Sequence, residues 1–115
     1  MDRHRLQRVA HLLRVELSDM IMKQKIKDPR VSSMVSISDI QVSRDLSYAK
    51  VFVSSFEDHT RLQSAVEGLN SAAGFIQSQV GKKIRLRSTP KLTFIVDHAI
   101  EKGFQITEKL KDAMS

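Results

Sequence analysis

The chain has 115 residues, 41% of them hydrophobic and 28% charged, which is enough apolar material for one packed core and too much for disorder. No cysteine is present, which excludes disulfides, thiolate metal sites and cysteine nucleophiles together. Lys and Arg outnumber Asp and Glu by 19 to 13, and no apolar run approaches the ~18 residues of a membrane span, so the composition describes a single soluble domain over residues 1–115 with an anionic partner as a first hypothesis.

The charge is uneven. Residues 1–30 carry a net +4 and residues 61–91 a net +5, whereas 31–60 and 92–115 are net −2 and −1. The N-terminal MDRHRLQR is basic without the apolar core of a signal peptide. Leu6, Val9, Ala10, Leu13, Leu17, Met20 and Ile21 instead follow helical spacing, predicting a helix over 3–25 that is over by Asp28, the residue before Pro29. Residues 33–42 alternate, but the apolar positions change parity between Val35–Ile37 and Ile40–Val42. A strand with a bulge near Ser38–Asp39 reconciles the two halves. The turn-rich stretch 43–47 then leads to a second strand at 48–56, with Ala49, Val51 and Val53 on one face and Phe52 on the other, so the two strands form an antiparallel hairpin.

Thr60 and Gln63 have capping-box spacing ahead of the helical run Leu62, Ala65, Val66, Leu69, Ala73, Ile76, Val80 and Ile84. Gly68, Gly74 and Gly81 interrupt that run, and a break at Gly74 would divide it into two helices. Leu92, Phe94 and Val96 predict a third strand at 91–97, and Asp97 is placed to cap a last helix to about 113. The order helix–strand–strand–helix–helix–strand–helix predicts a two-layer α+β domain, with a three-stranded sheet packed against helices.

Catalytic chemistry finds little support. Neither a nucleophile-elbow motif nor a phosphate loop occurs, and His4, His11, His59 and His98 do not form a ligand-spaced cluster. Asp39 and Asp45 read as turn-forming residues, and Asp58 as a charge favourable to the helix that follows it. The expectation is a protein without catalytic residues, metal, cofactor or small-molecule substrate.

Nucleic-acid chemistry is better represented. Lys82, Lys83, Arg85, Arg87 and Lys91 crowd ten residues with no acid among them, while Ile84 and Leu86 alternate with the cations, so one edge can be buried and the other can neutralise phosphates. A solvated loop is the alternative. A break at Gly74 would present free N–H groups and a positive helix end, with Ala72 and Ala73 small enough to admit a phosphate backbone; small residues that only permit close helix packing are the alternative there. The strand YAKVFVSSF lacks the glycine of an aromatic RNA-recognition strand, so Tyr48 and Phe52 read as packing residues.

Five segments stand in one order: Lys27-Asp28-Pro29-Arg30; Val42-Ser43-Arg44-Asp45-Leu46-Ser47-Tyr48-Ala49-Lys50-Val51; Ala72-Ala73-Gly74-Phe75-Ile76; Gly81-Lys82-Lys83-Ile84-Arg85-Leu86-Arg87; and Pro90-Lys91-Leu92-Thr93-Phe94. In register over residues 5 to 110, they resemble the bacterial ribosome-binding factor A family. The resemblance implies a type II KH-like fold, with order α-β-β-α-(kink)-α-β and an added C-terminal helix. It implies that Ala72-Ala73-Gly74 forms an Ala-x-Gly kink in place of the Gly-x-x-Gly loop of ordinary KH domains. It further implies a cytoplasmic, monomeric, non-enzymatic factor that binds the immature small (30S) ribosomal subunit through its rRNA. Such a factor supports late maturation and 5′-end processing of 16S rRNA and growth in the cold.

On this reading the expected RNA contacts are Arg44, Ala72, Ala73, Gly74, Lys82, Lys83, Arg85 and Arg87, with Arg3, Arg5, Arg8 and Arg14 of the first helix as further candidates. Asp45 is expected to hold the hairpin turn, with Arg44 as its possible ion-pair partner. Two other readings stay open: a protein-interaction adaptor using the outer sheet face with Phe52, and a general KH-type RNA chaperone.

Overall fold

The computed structural model describes residues 3–84 and 88–97. The last predicted helix, Arg85 and Arg87 lie outside the described residues. Helix α1 (Arg3–Met22) buries Val9, Leu13, Leu17, Met20 and Ile21, the stripe that its apolar spacing predicts. It stops before Pro29 for a reason the periodicity does not carry. Gln24 adopts φ 53°, its N–H donates to the carbonyl of Ile21, and the N–H of Lys25 donates to that of Met20. This is a Schellman closure with a glutamine in the left-handed position that glycine usually fills.

Strands β1 (Val35–Val42) and β2 (Tyr48–Ser55) pair antiparallel. Their register jumps between Ile37 and Asp39, leaving Ser38 as the bulged residue that the change of parity requires. Strand β3 (Lys91–Val96) runs parallel to β2 on its other side, giving the order β1-β2-β3. A parallel neighbour needs a crossover, and helices α2 (His59–Ser71) and α3 (Ala73–Lys83) supply it.

The helices pack on one face of the sheet. Leu13 and Leu17 of α1, Val51 and Val53 of β2, Leu69 of α2, and Ile76 and Val80 of α3 are all under 2% exposed. Burial of each such side chain is worth ~1.5–3 kcal/mol. The free edge of β3 is closed at one point. Asn70 of α2 donates from Nδ2 to the carbonyl of Phe94 (2.9 Å), and its Oδ1 accepts the Phe94 N–H (2.8 Å).

The cap of α2 differs from the expected capping box. Asp58 is the N-cap, its carboxylate accepting the N–H of Arg61 at 2.8 Å, so Thr60 and Gln63 lie within the helix. Asp39 is not a turn residue either. It stands exposed on β1 just past the bulge, 4.0 Å from Arg14.

Candidate nucleic-acid interface

The break between α2 and α3 falls at Ala72, two residues before the expected Gly74. Ala72 has φ −92° and ψ 6°, and it serves both helices: its N–H bonds back to Gly68 and its carbonyl accepts from Ile76. Alanine has no side-chain oxygen, so no side chain caps the start of α3. The positive end of that helix thus has no side-chain acceptor at its cap, and Gly74 in its first turn is exposed.

Gly74 sits in this first turn. Its φ is not positive, and a Cβ built on it would meet nothing within 4 Å. Among the described residues Gly74 therefore serves neither a left-handed turn nor close helix packing, the alternative weighed for the small residues here. Steric demand lies at the other two described glycines: a Cβ on Gly68 would stand 3.1 Å from Asp28 and Val31, and one on Gly81 2.8 Å from the Thr89 hydroxyl.

A loop absent from the predicted site borders the kink. Arg30 donates from Nε and Nη2 to the two carboxylate oxygens of Asp28 (3.0 and 2.8 Å), and Nη2 also reaches Ser71 Oγ at 3.3 Å. The hydrogen bonds from the Arg30 side chain, then from its backbone N–H, hold the Asp28 carboxyl at about 2 instead of 3.8. A groove of about 360 Å³ runs between loop and kink, lined by Lys27, Asp28, Pro29, Ser71, Ala72 and Phe75. Phe75 is 48% exposed there. The sequence signal was the Lys27–Arg30 segment, which was legible as a helix boundary but not as a neighbour of the kink.

Lys82 and Lys83 are exposed in the last turn of α3, where cations also favour the negative helix end. Ile84 beside them is buried, as the alternation predicts. The two lysines are not equivalent: Lys83 lines a groove that also contains Glu16 and Asp19 of α1, and Lys82 does not. An 11-residue helix places these lysines about 15 Å from the kink, so the described predicted residues on α3 fall into two groups at its opposite ends.

Arg44 is exposed at the tip of the hairpin and forms no ion pair among the described residues. Asp45 holds the turn, through the hydroxyl and N–H of Ser47 and the hydroxyl of Ser43, and not through Arg44. Those bonds, Ser47 first, hold its pKa below the usual range. Leu46 closes the turn at φ 63°, its N–H donating to the Ser43 carbonyl. Of the four α1 arginines, Arg14 is committed inside the fold, its guanidinium donating to the bulge carbonyl of Ser38 at 3.0 Å.

Tyr48 is no packing residue: it is 60% exposed on the outer sheet face. Among the described residues no three His, Cys, Asp or Glu side chains are grouped to hold a metal ion, and no helix is long and apolar enough to cross a membrane.

Comparison with known proteins gives these features a family. Residues 5–110 match the family model of ribosome-binding factor A. The chain is 46% identical over 109 residues to the ribosome-binding factor A of Caldanaerobacter subterraneus, covering 95% of this chain and 88% of that protein. Its fold is similar to the crystal structure of ribosome-binding factor A from Thermus thermophilus (TM-score 0.70, 23% identity, 82% of this chain and 97% of that one). A Thermus thermophilus homology model fitted into the cryo-EM map of a 30S complex is also similar in fold (TM-score 0.56, 24% identity, 78% and 96% covered). With the family model spanning nearly its whole length and a curated relative at this identity, the chain belongs to the ribosome-binding factor A family.

Proposed function

We propose that this chain is a non-enzymatic assembly factor that binds the immature small ribosomal subunit through rRNA. It supports late maturation and 5′-end processing of 16S rRNA, including in the cold, and acts as a cytoplasmic monomer without cofactor, metal or small-molecule substrate. The RNA contacts proposed are the Ala72–Gly74 kink, Lys82, Lys83, Arg85 and Arg87, with Arg44 at the hairpin tip. One observation carries the reading: α3 begins without a side-chain cap at a turn containing an exposed glycine that no contact among the described residues requires. A glycine that costs helix stability and meets nothing among the described residues is explained by a backbone approaching from outside. Family membership supports the partner, because relatives carry the name ribosome-binding factor and one related structure was fitted into a 30S complex.

The adaptor reading fares worse, since Phe52 on the outer sheet face is half-buried and the exposed positions around Tyr48 are the polar Gln41, Lys50, Lys91 and Thr93. The test is co-sedimentation with small subunits from cells lacking the factor, across a salt series, with and without nuclease. Binding that weakens steeply with salt and is lost after nuclease treatment supports the proposal. Salt-resistant binding to one ribosomal protein overturns the RNA contact, and equal affinity for any structured RNA overturns the assignment to the small subunit. Complementation of a deletion strain at low temperature, with 16S 5′ ends mapped, tests the maturation role.

A further inference from the structure

The helices cover one face of the sheet and leave the other uncovered where β2 and β3 begin. Ala49, Val51, Leu92 and Phe94 point into the core, and strand alternation turns Tyr48, Lys50, Lys91 and Thr93 outward, all of them exposed. The register sets Tyr48 beside Lys91, and Lys50 between Gln41 and Thr93. Neighbouring strands lie about 4.8 Å apart and same-face residues on one strand about 6.6 Å apart, so the ring and both ammonium stems share one small patch. The hairpin tip adds Arg44 just before β2. A shallow depression of about 270 Å³ lies along the ring, lined by Gln41, Val42, Ser43, Tyr48 and Lys50.

The charges of this patch are uncommitted. Arg44, Lys50 and Lys91 form no ion pair among the described residues. Asp45, the acid in the adjoining turn, accepts from Ser43 and Ser47, and Asp39 lies farther along β1 beside Arg14. Two available cations beside a largely exposed aromatic ring, with a third in the adjoining turn, complement a polyanion that carries flat, unpaired bases. A duplex, whose base faces are already stacked on each other, offers the ring nothing.

We propose that this end of the open sheet face is a second RNA-binding surface, which takes an unpaired RNA segment by stacking one base on Tyr48 and neutralising adjoining phosphates with Lys50 and Lys91. The proposal rests on the reading that the partner is RNA, but it uses the opposite face of the sheet from the helices that carry the kink. It assigns to Tyr48 a role that its aromatic ring, and not its hydroxyl, performs.

The probe is a fluorescently labelled ten-nucleotide uridine RNA, followed by anisotropy at low salt, with a ten-base-pair RNA duplex as control. Tyr48→Ala is expected to weaken uridine binding about tenfold or more and to leave duplex binding within about twofold, while Tyr48→Phe stays within about twofold for both. The double change Lys50→Gln, Lys91→Gln should make the log affinity–log salt slope for the uridine RNA shallower by about 1.4. Melting temperatures of all variants should match the parent, since these side chains are exposed. Unchanged uridine binding in Tyr48→Ala, or an equal loss in Tyr48→Phe, overturns the proposal. So does a Tyr48→Ala protein that keeps uridine binding but loses small subunits, which would place a ribosomal protein on this face. Normal small-subunit binding by a parent protein with no affinity for the uridine RNA overturns this proposal alone and leaves the proposed function standing.

Discussion

Arg30 grips Asp28 with two parallel hydrogen bonds and, through the same guanidinium, reaches Ser71 at the end of α2. The loop ahead of the sheet is thereby tied to the residue immediately before the kink. Lys27 and Phe75 line the two sides of the groove this creates.

Acid should loosen that tie. Asp28 titrates at about 2 in the folded protein, below its ordinary 3.8. A carboxylate depressed in this way adds stability that is fully present above the unfolded pKa and is lost as pH falls through the folded one. Asp45 and Glu57, also depressed, act in the same direction, Glu57 through the Ser32 hydroxyl and then Arg61. Urea midpoints should therefore fall between about pH 4 and pH 2, and the fall should be smaller in Asp28→Asn. Carbon-13 titration of Asp28 should move toward the ordinary range in Arg30→Gln; an unmoved midpoint would show that Arg30 is not the cause.

Gly74 and Gly68 should respond differently to substitution. Gly74→Ala meets open space and removes a helix-unfavourable residue, so folding stability should hold or rise by up to ~1 kcal/mol while small-subunit affinity falls. Gly68→Val must displace Asp28 and Val31 and should cost about 1–3 kcal/mol, read by urea denaturation. A Gly74→Ala protein that binds normally would remove the kink from the interface.

Salt dependence separates phosphate contact from mere solubility. Changing Lys82, Lys83, Arg85 and Arg87 together to Gln should make the log affinity–log salt slope for small subunits shallower by about two to three. Stability should drop only by the few tenths of a kcal/mol that each lysine contributes at the end of α3. An unchanged slope would make this segment a solvated surface.

Asn70 offers a test of the sheet edge. Asn70→Ala leaves the Phe94 N–H and carbonyl without their partner and should cost about 1–3 kcal/mol. Amide exchange at Phe94 should speed up well beyond that at Thr93, whose position within the β2–β3 ladder is unaffected. Equal rates at the two amides in the variant would contradict the edge-closing role.

Much of this architecture was legible because apolar spacing records which face is buried. The change of parity between Ile37 and Ile40 located the bulge, and the run from Leu62 to Val80 located the helical crossover, though not its division into two helices. What the spacing could not carry were contacts distant in sequence. The break comes at Ala72 and not Gly74, where the end of α2 is held to β3 by Asn70 and to the preceding loop by Ser71. Helix α1 ends on a left-handed Gln24, a backbone choice that no residue type announces. At the interface, the sequence named the kink and the lysines but could not show that α3 holds them a helix length apart. It read Tyr48 as packing because an aromatic residue on a strand belongs equally to either face until the register is known.

The order in which the ribosome delivers the strands adds a hazard. Strand β2 is complete at Ser55, but β3, its parallel neighbour, begins only at Lys91. At roughly 5–20 residues per second the emerging hairpin waits roughly 2–7 s with one flank of its central strand unclaimed. An open flank of this kind is a template for joining other chains. Lys50, a charge exposed on the outer face of that strand, disfavours such pairing until the crossover helices bring β3 home.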